Sequence, residues 1–252
     1  MDTAIGDYWR ALALPYEDAM QTLGGELFVK KASVDYHGSA RCEDLLEIAL
    51  RCDRIGNSSI RFSGAAFRAD ELLVACELIY VFADPQSKRR LTVPDSLRHL
   101  LQAYEAGETV LSLRQGGWDE LDCDALDVRT EVFVDERKIP LETERDGRDQ
   151  EAFHVVAFNA LGQAIATGRL LQSDQGRAHI GRLAVRRELR GTGLGPRVVR
   201  ALQAHAKQRG DRELNLHAAC ANRGFYEALG FQSRGPVFDK NGIPKIEMWL
   251  VL

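Results

Sequence analysis

Residues 179–210 read HIGRLAVRRELRGTGLGPRVVRALQAHAKQRG. A strand-like run over 179–185 leads to Gly191, Gly193 and Gly195, set at every second position. A helical pattern follows: Val198, Val199, Leu202 and Ala206 share one face, and Gly210 ends it. The first amides of a helix have no partner inside it, and the helix dipole adds positive potential there. Glycines clear side chains from such a turn and permit positive φ. Pro196 suits a first helical turn, where an N–H is unused. The backbone of Arg190, Gly191, Thr192, Gly193, Leu194 and Gly195 can therefore cradle a phosphate. A triphosphate loop needs Lys and then Ser or Thr after its last Gly, but Gly195 is followed by Pro196 and Arg197. A dinucleotide loop needs a third Gly where Pro196 stands. Taken alone, the loop reads equally well as a ligand-free turn.

The rest of the chain narrows the choice. A chain of 252 residues holds one large or two ordinary domains. A hydrophobic fraction of 45% and a charged fraction of 28% are those of a soluble globular protein. The net charge of -4 gives no reason to expect nucleic acid or an anionic membrane as partner. The start, MDTAIGDYWR, has neither the basic nor the apolar region of a secretory leader, and no apolar run is long enough for a bilayer span. Cys42, Cys52, Cys76, Cys123 and Cys220 are widely spaced and odd in number, which predicts reduced thiols and a cytoplasmic setting. The histidines are scattered, so no metal site is expected.

The first half predicts a helix over 8–24, broken at Pro15, four strands within 26–36, 44–56, 58–70 and 71–84, and a helix within 93–108. RADE (68–71) and ADPQSKRR (83–90) read as hairpin turns. The second half alternates. Strands are expected at 109–116, 153–159, 164–171, 179–185, 213–218, 231–235 and 245–252, and helices at 122–137, after the glycine loop, and at 220–230. The boundary is placed near Glu108, giving domains 1–107 and 108–252 and an α+β, two-domain fold class.

The glycine loop, LAV before it and FYEALGF (225–231) after it stand in the order and spacing of a known family. Residues 108–252 resemble the GNAT superfamily of coenzyme-A-dependent N-acyltransferases, with VRTEVFVDER (128–137) and DKNGIPKIEM (239–248) similar to its ElaA-like branch. The resemblance implies a mixed-sheet acyltransferase domain that uses acetyl-CoA or another acyl-CoA as donor, needs no metal, and acylates a small-molecule or peptide amine by direct attack in a ternary complex. It implies that Arg190, Gly193 and Gly195 belong to the pyrophosphate motif, and the Arg190 side chain can add charge-assisted contacts to the phosphate. It further implies that Leu183, Ala184 and Val185 lie on a splayed strand whose backbone pairs with pantetheine, with an amide near Val185 polarising the thioester. An ordinary buried strand is the alternative. Tyr226 is implied as the proton donor to the departing thiolate; otherwise it is a half-buried helix tyrosine. Asn222, one turn earlier, either bonds the pantetheine arm or caps its helix.

An amine of pKa ~10.4 is neutral in only about one molecule in 10³ at pH 7, so a base must help. Candidates are Glu131, Glu136, Asp149, His154 and His217. His217 comes first, because it ends a strand near the acyl site; capping that strand end is its other reading. Arg129 and Glu131 either line the acceptor site or form a buried ion pair. An acidic loop around Asp146 and Asp149 either attracts a cationic amine or is simply solvated.

Residues 8–104 resemble hot-dog-fold acyl-CoA thioesterases of the 4-hydroxybenzoyl-CoA type, on the stretches 29–62 and 81–101. YWRALALPY (8–16) matches only the tail of that family's central helix, so the domain reads as a partial, N-terminally truncated hot-dog domain. Asp2 and Asp7 lie too close to it to be the family's catalytic Asp, and no catalytic role transfers. The exposed edge implied is covered by a partner chain, as in a homodimer, or the reading frame begins upstream. Tyr36, His37 and Cys42 read as structural. Amine acylation is therefore the expected function, with thioester hydrolysis by the first half or acyl-CoA sensing without turnover as rivals.

Overall fold

The computed structural model describes residues 2–173, 176–240 and 242–252. The chain divides into two compact units, residues 1–111 with 159–161, and residues 112–158 with 162–252.

The first unit opens with helices α1 (Asp2–Ala11) and α2 (Tyr16–Leu23). Pro15 separates them as the sequence predicts. It stands at the start of α2, where its missing N–H costs no hydrogen bond. Strands β1 (Glu26–Tyr36), β2 (Glu47–Ile55), β3 (Ser59–Arg68) and β4 (Glu71–Ala83) form an antiparallel sheet in the order β1-β4-β3-β2. Ala69 and Asp70 turn β3 into β4. The ADPQSKRR turn closes on a single bridge, Ala83 to Arg90, and leads instead to α3 (Asp95–Glu105). Alternation along β3 sends Ile60 and Phe62 into a core with Leu12, Leu78, Phe82, Leu97 and Leu101. Tyr8, Trp9, Phe62, Tyr80 and Tyr104 meet edge to face within it.

The second unit is a seven-stranded sheet in the order β10-β11-β9-β8-β7-β6-β5. Its strands are β5 (Leu111–Gly116), β6 (Phe153–Asn159), β7 (Ala164–Ser173), β8 (Arg177–Val185), β9 (Glu213–Ala219), β10 (Gln232–Lys240) and β11 (Ile243–Val251). β8 and β9 run parallel, and helix α6 (Leu194–Arg209) carries the crossover between them. Val198, Val199, Leu202 and Ala206 are buried on α6 as its periodicity predicts. The helix lies close to β7: a Cβ on Gly168 would sit 2.8 Å from Val198 and 3.0 Å from Leu202. Helix α4 (Trp118–Arg129) buries Leu121, Ala125 and Val128 against Val156, Phe158 and Ala184.

The helix expected over 122–137 starts earlier, at Trp118, and changes character at Thr130, where Thr130–Glu136 forms a π-helix. A short α5 (Leu141–Glu144) follows that the sequence does not signal. The second-unit chain ends with the short helix α7 (Arg223–Glu227), a left-handed Gly230, and the β10–β11 hairpin, which runs longer than its apolar pattern suggests. No helix among the described residues is long and apolar enough to cross a membrane.

Candidate active site

Gly191 and Gly193 hold φ of +84° and +86°, values that strain any side-chain-bearing residue. Gly193 caps α6 from the left-handed region, and no side chain caps the helix start. The Thr192 hydroxyl turns back to donate to the Leu189 carbonyl, 2.7 Å away. The first amides of α6 thus have no side-chain cap and lie at the positive end of the helix dipole, an arrangement that favours an anion. Gly195 does something else. It is buried, and a Cβ there would stand 3.2 Å from the Phe225 ring. It lets α6 approach α7.

Among the described residues, strands β8 and β9 are in register only at Arg177↔Glu213, Ala178↔Leu214 and His179↔Asn215. Beyond that, β8 stays with β7 as far as Val185, and β9 stays with β11 as far as Ala219. The two strands therefore part after His179 and Asn215. Arg182, at φ +51°, sits in the bulge that shifts the β7–β8 register. Leu183, Ala184 and Val185 follow and, among the described residues, have no partner on β9. Such an edge can pair with an extended, amide-bearing arm. Tyr226 is 9% exposed, edge to face with Phe225 at 4.8 Å and Phe231 at 5.9 Å. Burial pushes its hydroxyl up to about 12, with Arg137 pulling the other way. Asn222 is exposed at the start of α7 and its side chain does not cap the helix.

Two arginines tie the π-helix to the glycine loop. Arg186 bonds Asp127 at 2.6 Å and Glu131 at 3.1 Å. Arg190 donates through Nη1 and Nη2 to both carboxylate oxygens of Glu136, and through Nε to the Val185 carbonyl at 3.1 Å. The Arg190 fork thus meets Glu136 and ties the loop to the end of the π-helix. Glu131 braces the same loop through Arg186.

Arg129 does not line an acceptor site. It is 1% exposed. Its guanidinium bonds Glu144 and both oxygens of Asp149, at 2.9 and 3.0 Å. Arg169 reaches the same Asp149 at 2.8 Å and Asp146 at 2.7 Å, and Arg182 reaches Asp146 at 2.9 Å. Of the two readings of Arg129, the buried ion pair holds. The acidic loop is compensated by three arginines and offers little attraction to a cationic amine.

The sequence profile described as "Acetyltransferase (GNAT) domain" matches residues 122–252, just over half the chain. The chain belongs to the GNAT acetyltransferase family. The profile of the "Thioesterase superfamily" matches residues 1–75. Among curated proteins, the chain is 32% identical over 127 residues to the uncharacterised N-acetyltransferase YjcF of Bacillus subtilis (strain 168), covering 50% of this chain and 89% of that one. Among solved structures, the acyl-CoA N-acyltransferase from Pseudomonas aeruginosa shares 33% identity over 55% of this chain and 98% of that one, with a TM-score of 0.50. Escherichia coli ElaA shares 26% identity over 55% of this chain and 98% of its own, with a TM-score of 0.51.

Within the GNAT domain the five candidate bases separate by surroundings. His154 is 1% exposed and its Nε2 lies 3.0 Å from the Asp149 carbonyl, so it cannot meet a substrate. Asp149 is locked between Arg129 and Arg169. The Arg190 guanidinium holds the Glu136 carboxyl below the usual range. Glu131 is shared with Arg186. His217 is exposed, two residues past the last β8–β9 pair. Its ring stands 5.1 Å from those of His179 and Phe238. Partial desolvation of the ring, then Lys240, lowers its pKa below the ordinary 6.5, so the imidazole is neutral at pH 7. His179, missed in the sequence, places Nδ1 2.7 Å from the Asn215 side-chain oxygen. Only strand register brings these residues together. Among the described residues, no group of three or more potential ligands could hold a metal ion.

Proposed function

We propose that this chain transfers an acyl group, acetyl in the simplest case, from coenzyme A to a primary amine. The observation that carries the reading is the parting of β8 and β9 directly beside the uncapped start of α6. The residues fit the donor: α6 amides with Gly191 and Gly193 for the pyrophosphate, and the Leu183–Val185 edge with Asn222 for the pantetheine arm. The thioester supplies an activated acyl carbon. An amide near Val185 stabilises negative charge on its oxygen. The amine nitrogen bonds that carbon as the C–S bond breaks, His217 takes the nitrogen's proton, and Tyr226 gives one to the sulfur. Free coenzyme A and an amide result.

Five free cysteines fit a reducing cytoplasm. Val29, Val34, Tyr36 and Ile48 are exposed on the edge strands β1 and β2, which supports a homodimer made through the first unit. The thioesterase reading rests on the match over 1–75, and no catalytic residue of that family transfers to it. Release of coenzyme A measured with and without amines decides between them. Strict amine dependence with a mass-identified acylated product supports transfer; release without amine, lost on deleting the first unit, supports hydrolysis.

A further inference from the structure

Among the described residues, His179↔Asn215 is the last β8–β9 pair, and its side chains bond across it: His179 Nδ1 donates to Asn215 Oδ1 at 2.7 Å. Up to that pair the backbones keep the ladder spacing of ~4.8 Å, too narrow for another chain to pass between them. The opening is therefore a wedge, with its mouth toward Val185 and the glycine loop and its vertex at His179 and Asn215. Both faces of the vertex are closed. On one face Ala178, Ile180, Leu214 and Leu216 are at most 3% exposed. On the other stand the His179 ring, bonded to Asn215, and the His217 ring, edge to face with it at 5.1 Å. Just inside the vertex there is room. A Cβ added to Gly181 would meet only the His179 ring, 3.9 Å away. The ring is thus the wall of an open space beside the bulge at Arg182.

A coenzyme A ester carries its phosphates at one end of the pantetheine arm and its acyl group at the other. With the pyrophosphate at the start of α6, the arm runs back along Val185 to Leu183 and carries the acyl group toward the vertex. We infer that the His179–Asn215 pair is the stop that sets acyl length. Acetyl and groups of similar size end in the space before Gly181, and a longer straight chain meets the bonded side chains. This rests on the acyltransferase reading and names its donor class. Asn215 keeps the wall in place: its Oδ1 can only accept, so the imidazole is held by a hydrogen on Nδ1. Neither residue takes a step in the reaction; the pair acts through the space it fills.

The test is calorimetric binding of free coenzyme A, acetyl-CoA and hexanoyl-CoA, which needs no acceptor amine. The wild type should bind hexanoyl-CoA at least about tenfold more weakly than acetyl-CoA, although four more methylenes, if buried, would each strengthen binding about fourfold. Asn215→Ala and His179→Ala should each raise hexanoyl-CoA affinity at least about tenfold by opening the stop. Affinity for free coenzyme A should stay the same in both, which a damaged fold would not allow. Gly181→Val fills the space before the ring and should weaken acetyl-CoA while sparing free coenzyme A. Equal affinity of the wild type for the two esters, or a hexanoyl-to-acetyl ratio that neither alanine variant changes, overturns the inference while the donor reading stands. If neither ester nor free coenzyme A binds, the acyltransferase reading falls and the inference with it.

Discussion

Arg190 and Glu136 face each other through two parallel hydrogen bonds, Nη1 to Oε1 at 2.8 Å and Nη2 to Oε2, while Arg190 Nε holds the Val185 carbonyl. One side chain thus links the end of the π-helix, the end of β8 and the first residue of the glycine loop. Glu136→Gln should loosen that link without emptying the loop. KM for acetyl-CoA should rise several-fold with kcat changed less. The pair is charge-dependent in one direction. Arg190 depresses the Glu136 pKa, so the contribution is present above the carboxyl's unfolded pKa and lost as pH falls through its folded value. Steady-state kinetics with acetyl-CoA varied, repeated in Glu136→Gln, checks both statements. An unchanged KM would remove the positioning role.

Arg129 should matter to stability rather than to KM. Replacement by Met strands Glu144, 3% exposed, and Asp149, 7% exposed, without their main counter-ion. Breaking a buried pair from one side costs about 3–5 kcal/mol. Lys should rescue poorly, since it cannot span Glu144 and both oxygens of Asp149. Burial pushes the Asp149 pKa up, but Arg129 and Arg169 outweigh it, and the net shift is downward. The stabilisation is therefore full above the unfolded carboxylate pKa and lost as pH falls through the lower folded one. Urea unfolding of wild type and Arg129→Met at pH 7 and at pH values below 3.8 measures this; equal stabilities at pH 7 would contradict it.

Tyr226 and His217 make opposite pH statements. With its hydroxyl pushed up to about 12, Tyr226 stays protonated through the working range and can donate. Tyr226→Phe should lower kcat at least about tenfold and leave KM for acetyl-CoA nearly unchanged. His217 must be neutral to accept a proton, and its pKa lies below the ordinary 6.5. Wild-type kcat/KM should therefore fall as pH drops below about 6.5, with an acidic limb that His217→Gln abolishes. An acidic limb that survives the substitution assigns the base elsewhere.

His179 links this site to folding. Burial lowers its pKa from 6.5 to about 4, opposed by the hydrogen bond with the Asn215 side chain. The unfolded chain binds this proton at higher pH than the folded one, so stability should decline as pH falls from about 6.5 toward 4. The loss is on the order of 3 kcal/mol, because a tenfold change in proton affinity is worth about 1.4 kcal/mol. His179→Gln should flatten that part of the stability–pH curve in chemical unfolding at several pH values. A curve of unchanged slope would place the titration on another group.

Much of this site was legible in the chain. The glycine triplet, the α6 face from Val198 to Ala206 and FYEALGF are local signals, and local signals survive folding. What sequence could not show depends on register or on a competing partner. No local pattern signals that the Arg190 fork meets Glu136, 54 residues away. Arg129 reads as either of two things until its burial decides. The parting of β8 from β9 and the meeting of His179 with Asn215 at its vertex are properties of strand pairing, which apolar alternation does not encode.

Gly193 and Gly195 provide a last, contrasting pair of predictions. They are two residues apart and look alike in the motif, yet their surroundings differ. Gly193 has φ +86° and nothing within 4 Å of an added Cβ, so Gly193→Ala meets backbone strain of about 1–2 kcal/mol and no clash. The strain would be relieved by moving the loop, which should raise KM for acetyl-CoA and spare kcat. Gly195→Ala has an ordinary φ but pushes a methyl to 3.2 Å from Phe225. Phe225 must yield, and its neighbour on α7 is Tyr226, edge to face at 4.8 Å. Gly195→Ala should therefore act chiefly on kcat, through the displaced hydroxyl, and Phe225→Leu should restore part of it by making room. Kinetics of the two single variants and of the Gly195→Ala, Phe225→Leu double variant test the contrast. A KM effect of equal size in both alanine variants, with no restoration in the double, would mean that both glycines serve the phosphate cradle alone.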